Sequence, residues 1–158
     1  MNNSIRASTR CFSLLIAHCL LIIASSGCNS GDGAQPRIPY APVNLALDLS
    51  NQQYRALRFD NGVVALPVRG PAGVGGVRGV LVVRQNAASY LAFERNCPYR
   101  PGDDCARVGF DTSPAPFLRD SCCGSQFSLQ GQVQGGPAPR ALLQYSTSLN
   151  GNQLVISN

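Results

Sequence analysis

The chain of 158 residues carries 16 glycines, 11 prolines, seven cysteines, one histidine, eight acids and 13 basic residues, every one of them arginine. With 44% apolar and 13% charged residues, it can build one packed domain and has too little charge for a disordered chain or a bundle of charged amphipathic helices. The Gly and Pro content calls for many turns and short strands, and the net charge of +5 sits on scattered arginines, without the clustered basic face that nucleic acid requires.

In chain order, Arg6 and Arg10 precede a mostly apolar run over residues 11–26, and Ala24, Ser25, Ser26 and Gly27 stand directly before Cys28. A basic start, an apolar stretch and small residues at a cleavage point make an export signal. The run is interrupted by His18 and is shorter than the roughly 20 residues of a membrane span. Small residues followed by cysteine resemble the lipobox of bacterial lipoproteins, with Ser25 standing where Leu is usual. That resemblance implies removal of residues 1–27, acylation of Cys28 and anchoring to membrane lipid. The alternative is an ordinary secretory signal with Cys28 free or paired. The expected location is the bacterial cell envelope, and Asn29 after the lipid-bearing cysteine favours the outer membrane.

Removal of residues 1–27 takes away Cys11, Cys19 and the only histidine, His18, so the mature chain has neither His nor Lys. Ser-His-Asp and Cys-His nucleophiles, His-ligated zinc, Schiff-base lysines and P-loop nucleotide binding all need a residue that is missing. Nucleotide and nucleic acid are therefore not expected partners. Four cysteines remain besides Cys28, namely Cys97, Cys105, Cys122 and Cys123, and an even number in an exported chain reads first as disulfides.

Residues 28–39 are polar and rich in Gly and Pro and form a tether, with order expected from Tyr40 onward. Residues 54–59 alternate as a strand, Asn61-Gly62 reads as a two-residue hairpin loop, and residues 63–68 form the next strand. A mobile turn over 70–76 leads to strands at 77–84 and 90–94 around a turn at 85–89. Leu143, Tyr145, Thr147 and Leu149 share one face of a strand over 142–149, and Asn150-Gly151 closes a hairpin onto 154–156. No segment after Cys28 keeps a 3.6-residue period for ten residues. The expected fold class is all-β, a small antiparallel sandwich or barrel, with a cysteine-rich loop module at 96–140 inserted in it.

The words Tyr90-Leu-Ala-Phe-Glu-Arg-Asn-Cys97-Pro98-Tyr99, Cys122-Cys123-Gly124-Ser125-Gln126-Phe127, Gly131-Gln-Val133 and Gly136-Pro137-Ala138 follow one another in and around that module. In their order and spacing they resemble the Rieske iron-sulfur domain. The resemblance covers about residues 54–157 and implies two facing loops that hold a 2Fe-2S cluster between two Cys and two His. Carried over position by position, Cys97 stands at the first Cys, Tyr99 at its His, Asp120 at the second Cys and Cys123 at its His. Thiolates suit an iron-sulfide core, whereas a phenol that ionises near pH 10 does not.

Some members of the family carry one further cysteine in each loop, joined as a disulfide. The resemblance implies that bridge between Cys105 and Cys122, and leaves Cys97 and Cys123 facing each other as a second pair. Two other arrangements stay open: a metal or atypical cluster held by Cys97, Cys105, Cys122 and Cys123, and a vicinal, redox-active Cys122–Cys123 bridge. Asp103-Asp104 reads as a solvated loop tip, and Glu94, Asp60 and Asp111 are too dispersed for an acid-base pair. The expected function is a lipid-anchored Rieske-like module with an incomplete ligand set, disulfide-stabilised, without cofactor, and binding an envelope protein. Electron transfer through a 2Fe-2S cluster is the alternative, and thiol-disulfide exchange the third.

Overall fold

The computed structural model describes residues 37–158; the expected signal, Cys28 and most of the tether lie outside the described residues. Among the described residues, twelve strands form two antiparallel sheets. Strand β1 (Val43–Asp48) alternates cleanly, with Val43, Leu45 and Leu47 buried and Asn44, Ala46 and Asp48 outside. It lies in the middle of the large sheet, paired with β12 (Gln153–Ser157) on one side and β4 (Gly73–Gly75) on the other.

The large sheet runs in the order β2-β5-β6-β11-β12-β1-β4-β3, with β2 at Val63–Leu66, β3 at Arg69–Gly70, β5 at Val80–Asn86, β6 at Ser89–Glu94 and β11 at Gln144–Asn150. Its two end strands, β2 and β3, are joined by Pro67-Val68 alone. The sheet must therefore curl until its edges meet, and it becomes a nearly closed barrel. Inside it pack Leu45, Leu47, Leu57, Val80, Val82, Leu154 and Ile156, all at most 1% exposed. Burying each such aliphatic side chain stabilises the fold by about 1.5–3 kcal/mol.

The apolar run of β5 has both faces covered. Val80 and Val82 point into the barrel, while Leu81 and Val83 pack outward beneath the second sheet. That sheet, in the order β10-β9-β8-β7, is built from Val108–Asp111 (β7), Phe117–Asp120 (β8), Gln126–Phe127 (β9) and Val133–Gly135 (β10). Phe93, Val108, Leu118 and Phe127 fill the layer between the sheets. The module expected as loops is thus a sheet with loops at one end, and its strands are only two to four residues long.

Three expectations are corrected. Residues 54–59 are not a strand: a 3-10 helix occupies Gln52–Arg58, capped by the Asn51 side chain, which accepts from the Gln53 N–H at 3.1 Å. Tyr54 and Leu57, three apart, both enter the barrel, so their spacing suits a helical turn rather than alternation. Asn61-Gly62 consequently links a helix to a strand. Asn61 takes φ 63°, and a side chain on Gly62 would run into the carbonyl of Ala56. The second correction concerns residues 70–76, which form the β3–β4 edge hairpin rather than a mobile turn. The last hairpin turns at Gly151-Asn152, one residue later than expected, with Gly151 at φ 56°. Among the described residues no helix is long and apolar enough to cross a membrane.

Candidate functional site

The first loop leaves β6 at Glu94, whose carboxylate is fully buried and accepts four hydrogens. Oε1 receives the N–H groups of Arg78 and Asn96, both at 2.9 Å, and Oε2 receives the Val77 N–H and the Tyr145 hydroxyl, both at 2.7 Å. That satisfaction makes a buried carboxylate tolerable. The loop then folds on itself: the Asn96 side chain donates to the Pro101 carbonyl at 3.1 Å, and the Cys97 N–H points to the Ala106 carbonyl at 3.4 Å. Cys97 ends up fully buried against the layer between the sheets.

The second loop lies between β8 and β9. Asp120, the last residue of β8, is fully buried. Its Oδ1 accepts the Cys122 N–H at 2.8 Å, its N–H donates to the Ser125 carbonyl at 2.9 Å, and its carbonyl accepts the Gly124 N–H at 2.8 Å. This tight turn aims the half-buried Cys123 back at Asp120 and across at Cys97. The Cys123 Sγ lies 3.8 Å from the Cys97 Sγ, 3.2 Å from Asp120 Oδ2 and 3.0 Å from the Ser125 hydroxyl oxygen.

One ligand atom each from Cys97, Asp120 and Cys123 falls within 4.8 Å of the others. Burial, reinforced by the neighbouring Asp120 carboxylate, pushes the Cys97 thiol above its ordinary range, against an opposing hydrogen bond from the Tyr99 backbone. Cys97 is thus a protonated thiol at neutral pH. Tyr99 packs half-buried against the same apolar layer, under the Arg100 guanidinium at 5.3 Å.

Cys105 and Cys122 form the disulfide that the family resemblance implies, with Cα atoms 5.5 Å apart. It joins the two loops from outside. That bond overturns the vicinal Cys122–Cys123 bridge and the four-cysteine metal set, since each would need a sulfur that is already used. Cys97 and Cys123 are brought together as expected but stand unbonded as two thiols. The Cys123 sulfur is held instead by hydrogen bonds to Asp120 and Ser125. Asp103 and Asp104 lie exposed at a loop tip, where Asp104 meets Arg78 at 3.5 Å.

Ser125 is a site residue that sequence reading assigned only to a motif. Its hydroxyl oxygen accepts the Ala138 N–H at 3.1 Å, leaving its hydrogen for the Cys123 sulfur. The words Gly124-Ser125 and Gly136-Pro137-Ala138 held the signal, because they lie side by side here.

No family model and no curated protein matches the chain. Among solved structures it is similar to the cyanobacterial plasma membrane Rieske protein PetC3 from Synechocystis PCC 6803, at 22% identity and a TM-score of 0.48, covering 75% of this chain and 100% of that one. The chain's own order is the decisive observation: a β barrel, an inserted small sheet, and two loops that face each other with Cys97 in one and Cys123 in the other. That order agrees with the arrangement that the sequence resemblance implies. A Rieske cluster needs two Cys and two His, with ligand pairs on two separate irons. The donor set among the described residues does not fit that group: it has no imidazole, and its three donors, Cys97, Asp120 and Cys123, crowd within 4.8 Å of one another.

Proposed function

We propose that the protein is a Rieske-like binding module of the bacterial envelope in which the cluster site has lost its electron-transfer ligands. It is tied to membrane lipid through Cys28, and its partner is an envelope protein. The observation that carries this reading is the convergence of Cys97, Asp120 and Cys123 into one three-donor pocket, where a two-iron cluster would need two separated pairs. The Cys105–Cys122 bridge is compatible with it, since it ties the two loops together whether or not a cluster is bound. Cleavage and lipidation at Cys28 are supported by the small residues before it and the apolar run that precedes them.

The test is the composition of the full-length protein purified without oxygen from a cell making iron-sulfur clusters. A chain free of labile sulfide, without the visible bands of a 2Fe-2S cluster, is the expected result. Two irons and two sulfides per chain would overturn the proposal. Membrane fractions answer the anchoring separately: Cys28→Ala should release the protein into the soluble envelope fraction, and retention in the membrane would remove lipidation from the account.

A further inference from the structure

The geometry points to a mononuclear site for a borderline divalent ion of the Zn2+ class, held by the sulfurs of Cys97 and Cys123 and the carboxylate of Asp120. This rests on the reading above, that the two-iron ligand set has been lost, and adds what the altered pocket binds. The sulfurs are 3.8 Å apart. Two thiolates at about 2.3 Å from one tetrahedral ion lie about 3.8 Å from each other. Asp120 Oδ2 is 3.2 Å from the Cys123 sulfur, and a tetrahedral sulfur-oxygen pair on zinc spans about 3.5 Å. Two of the three edges thus stand within a few tenths of an ångström of tetrahedral values, and the third, from the Cys97 sulfur to the Asp120 carboxylate, is at most 4.8 Å.

Asp120 supplies an independent reason. Its side chain is 0% exposed, and none of the ion pairs among the described residues includes it. Glu94 is satisfied in the interior by four hydrogen bonds, whereas the Asp120 carboxylate has two donors, one of them a thiol, which leaves it capacity to coordinate a metal. Oδ1 is occupied by the Cys122 N–H, whereas Oδ2 meets the Cys123 sulfur. Cys97 and Cys123 thus stand beside it as two further potential ligands.

The surroundings suit a bound metal. Ser125, oriented by the Ala138 N–H, directs its hydroxyl hydrogen at the Cys123 sulfur, the kind of outer contact that supports a coordinated thiolate. The Cys105–Cys122 bridge keeps those two sulfurs out of the site. Two thiolates and one carboxylate favour zinc over the all-oxygen demands of calcium or magnesium. Three protein ligands leave a fourth tetrahedral position for water or an exogenous ligand. On loading, two metal–sulfur bonds and one metal–oxygen bond form, the two thiol protons pass to solvent, and no electron moves.

The full-length chain in detergent, stripped with chelator under argon, is titrated with Co2+ as an optical stand-in and then with Zn2+. One Co2+ per chain, with the bands of a tetrahedral cobalt thiolate and one-for-one displacement by Zn2+, is the expected result. Cys123→Ser should abolish those bands, and Asp120→Asn, which keeps an acceptor for the Cys122 N–H, should weaken binding about tenfold or more. Absence of cobalt binding in a chain that keeps its β circular dichroism would overturn the metal site alone, as would bands that survive Cys123→Ser. Two irons with two sulfides would overturn the site together with the function proposed above.

Discussion

Tyr145 donates its phenolic hydrogen to Glu94 Oε2 across 2.7 Å inside the barrel, joining β11 to the end of β6 where the first loop departs. The same carboxylate collects three backbone N–H groups from residues 77, 78 and 96. It therefore sets the direction from which Cys97 enters the site. Tyr145→Phe removes a hydrogen bond to a charged group and should cost about 1.5–3 kcal/mol. Glu94→Ala strands three backbone donors at once and should cost more. Urea unfolding of both variants measures this, and a Glu94→Ala midpoint equal to the parent's would contradict the role given to Glu94.

The Cys105–Cys122 bridge closes a loop with a sequence separation of 17. Cross-linking a loop of that size restricts the unfolded chain and stabilises by about 3 kcal/mol. Cys105 is exposed, so a mild reductant should reach the bond without unfolding. Cys105→Ser with Cys122→Ser, and reduction of the parent, should lower the melting temperature alike. Additive losses would mean that the reductant acts somewhere else.

Gly136 couples the small sheet to the site. It has φ +84°, and a Cβ there would stand 2.6 Å from the Ser125 Cα and 2.9 Å from its nitrogen. Backbone atoms cannot swing aside as a side-chain end can. Gly136→Ala should therefore cost at least the roughly 1–2 kcal/mol of a left-handed backbone and also displace Ser125. Release of the Ser125 contact should change the alkylation rate of the half-buried Cys123. Stability and thiol reactivity both unchanged would show that the loop has room the geometry denies.

Strands β5 and β6 were legible because their apolar runs are long and the domain covers both faces of β5. Strand β1 alternates just as clearly, yet Asn44 and Asp48 on its outer side disguise a central strand, since both residue types are poor strand formers. The small sheet was not legible: strands of two to four residues around Gly109, Asp111 and Asp120 are too short for a period of two to show. In the 3-10 helix, Tyr54 and Leu57 are three apart and fit a helical turn but not alternation, and the Asn51 cap marks the same turn. At the site, the facing of Cys97 and Cys123 and the Cys105–Cys122 bridge followed from the family resemblance. The link from Ser125 to Ala138 spans 13 residues and depends on how two loops pack, which no local pattern records.

Alkaline pH should destabilise the metal-free domain in two stages. Burial raises the Cys97 thiol, with the Asp120 hydrogen bond and charge adding to it. Tyr145 is likewise raised, first by burial and then by its bond to Glu94. In the unfolded chain these groups lose their protons near pH 8.5 and pH 10 respectively. Above those values the native state holds protons that the unfolded state has released, so stability falls as pH rises. The loss reaches about 1.4 kcal/mol per pH unit for each such group. Below about pH 8 neither group contributes a slope. Urea midpoints at pH 7, 9 and 10.5 should decline progressively. Cys97→Ala should flatten the first stage, and Tyr145→Phe the second. A midpoint constant up to pH 10.5 would mean that water reaches both groups in the folded protein.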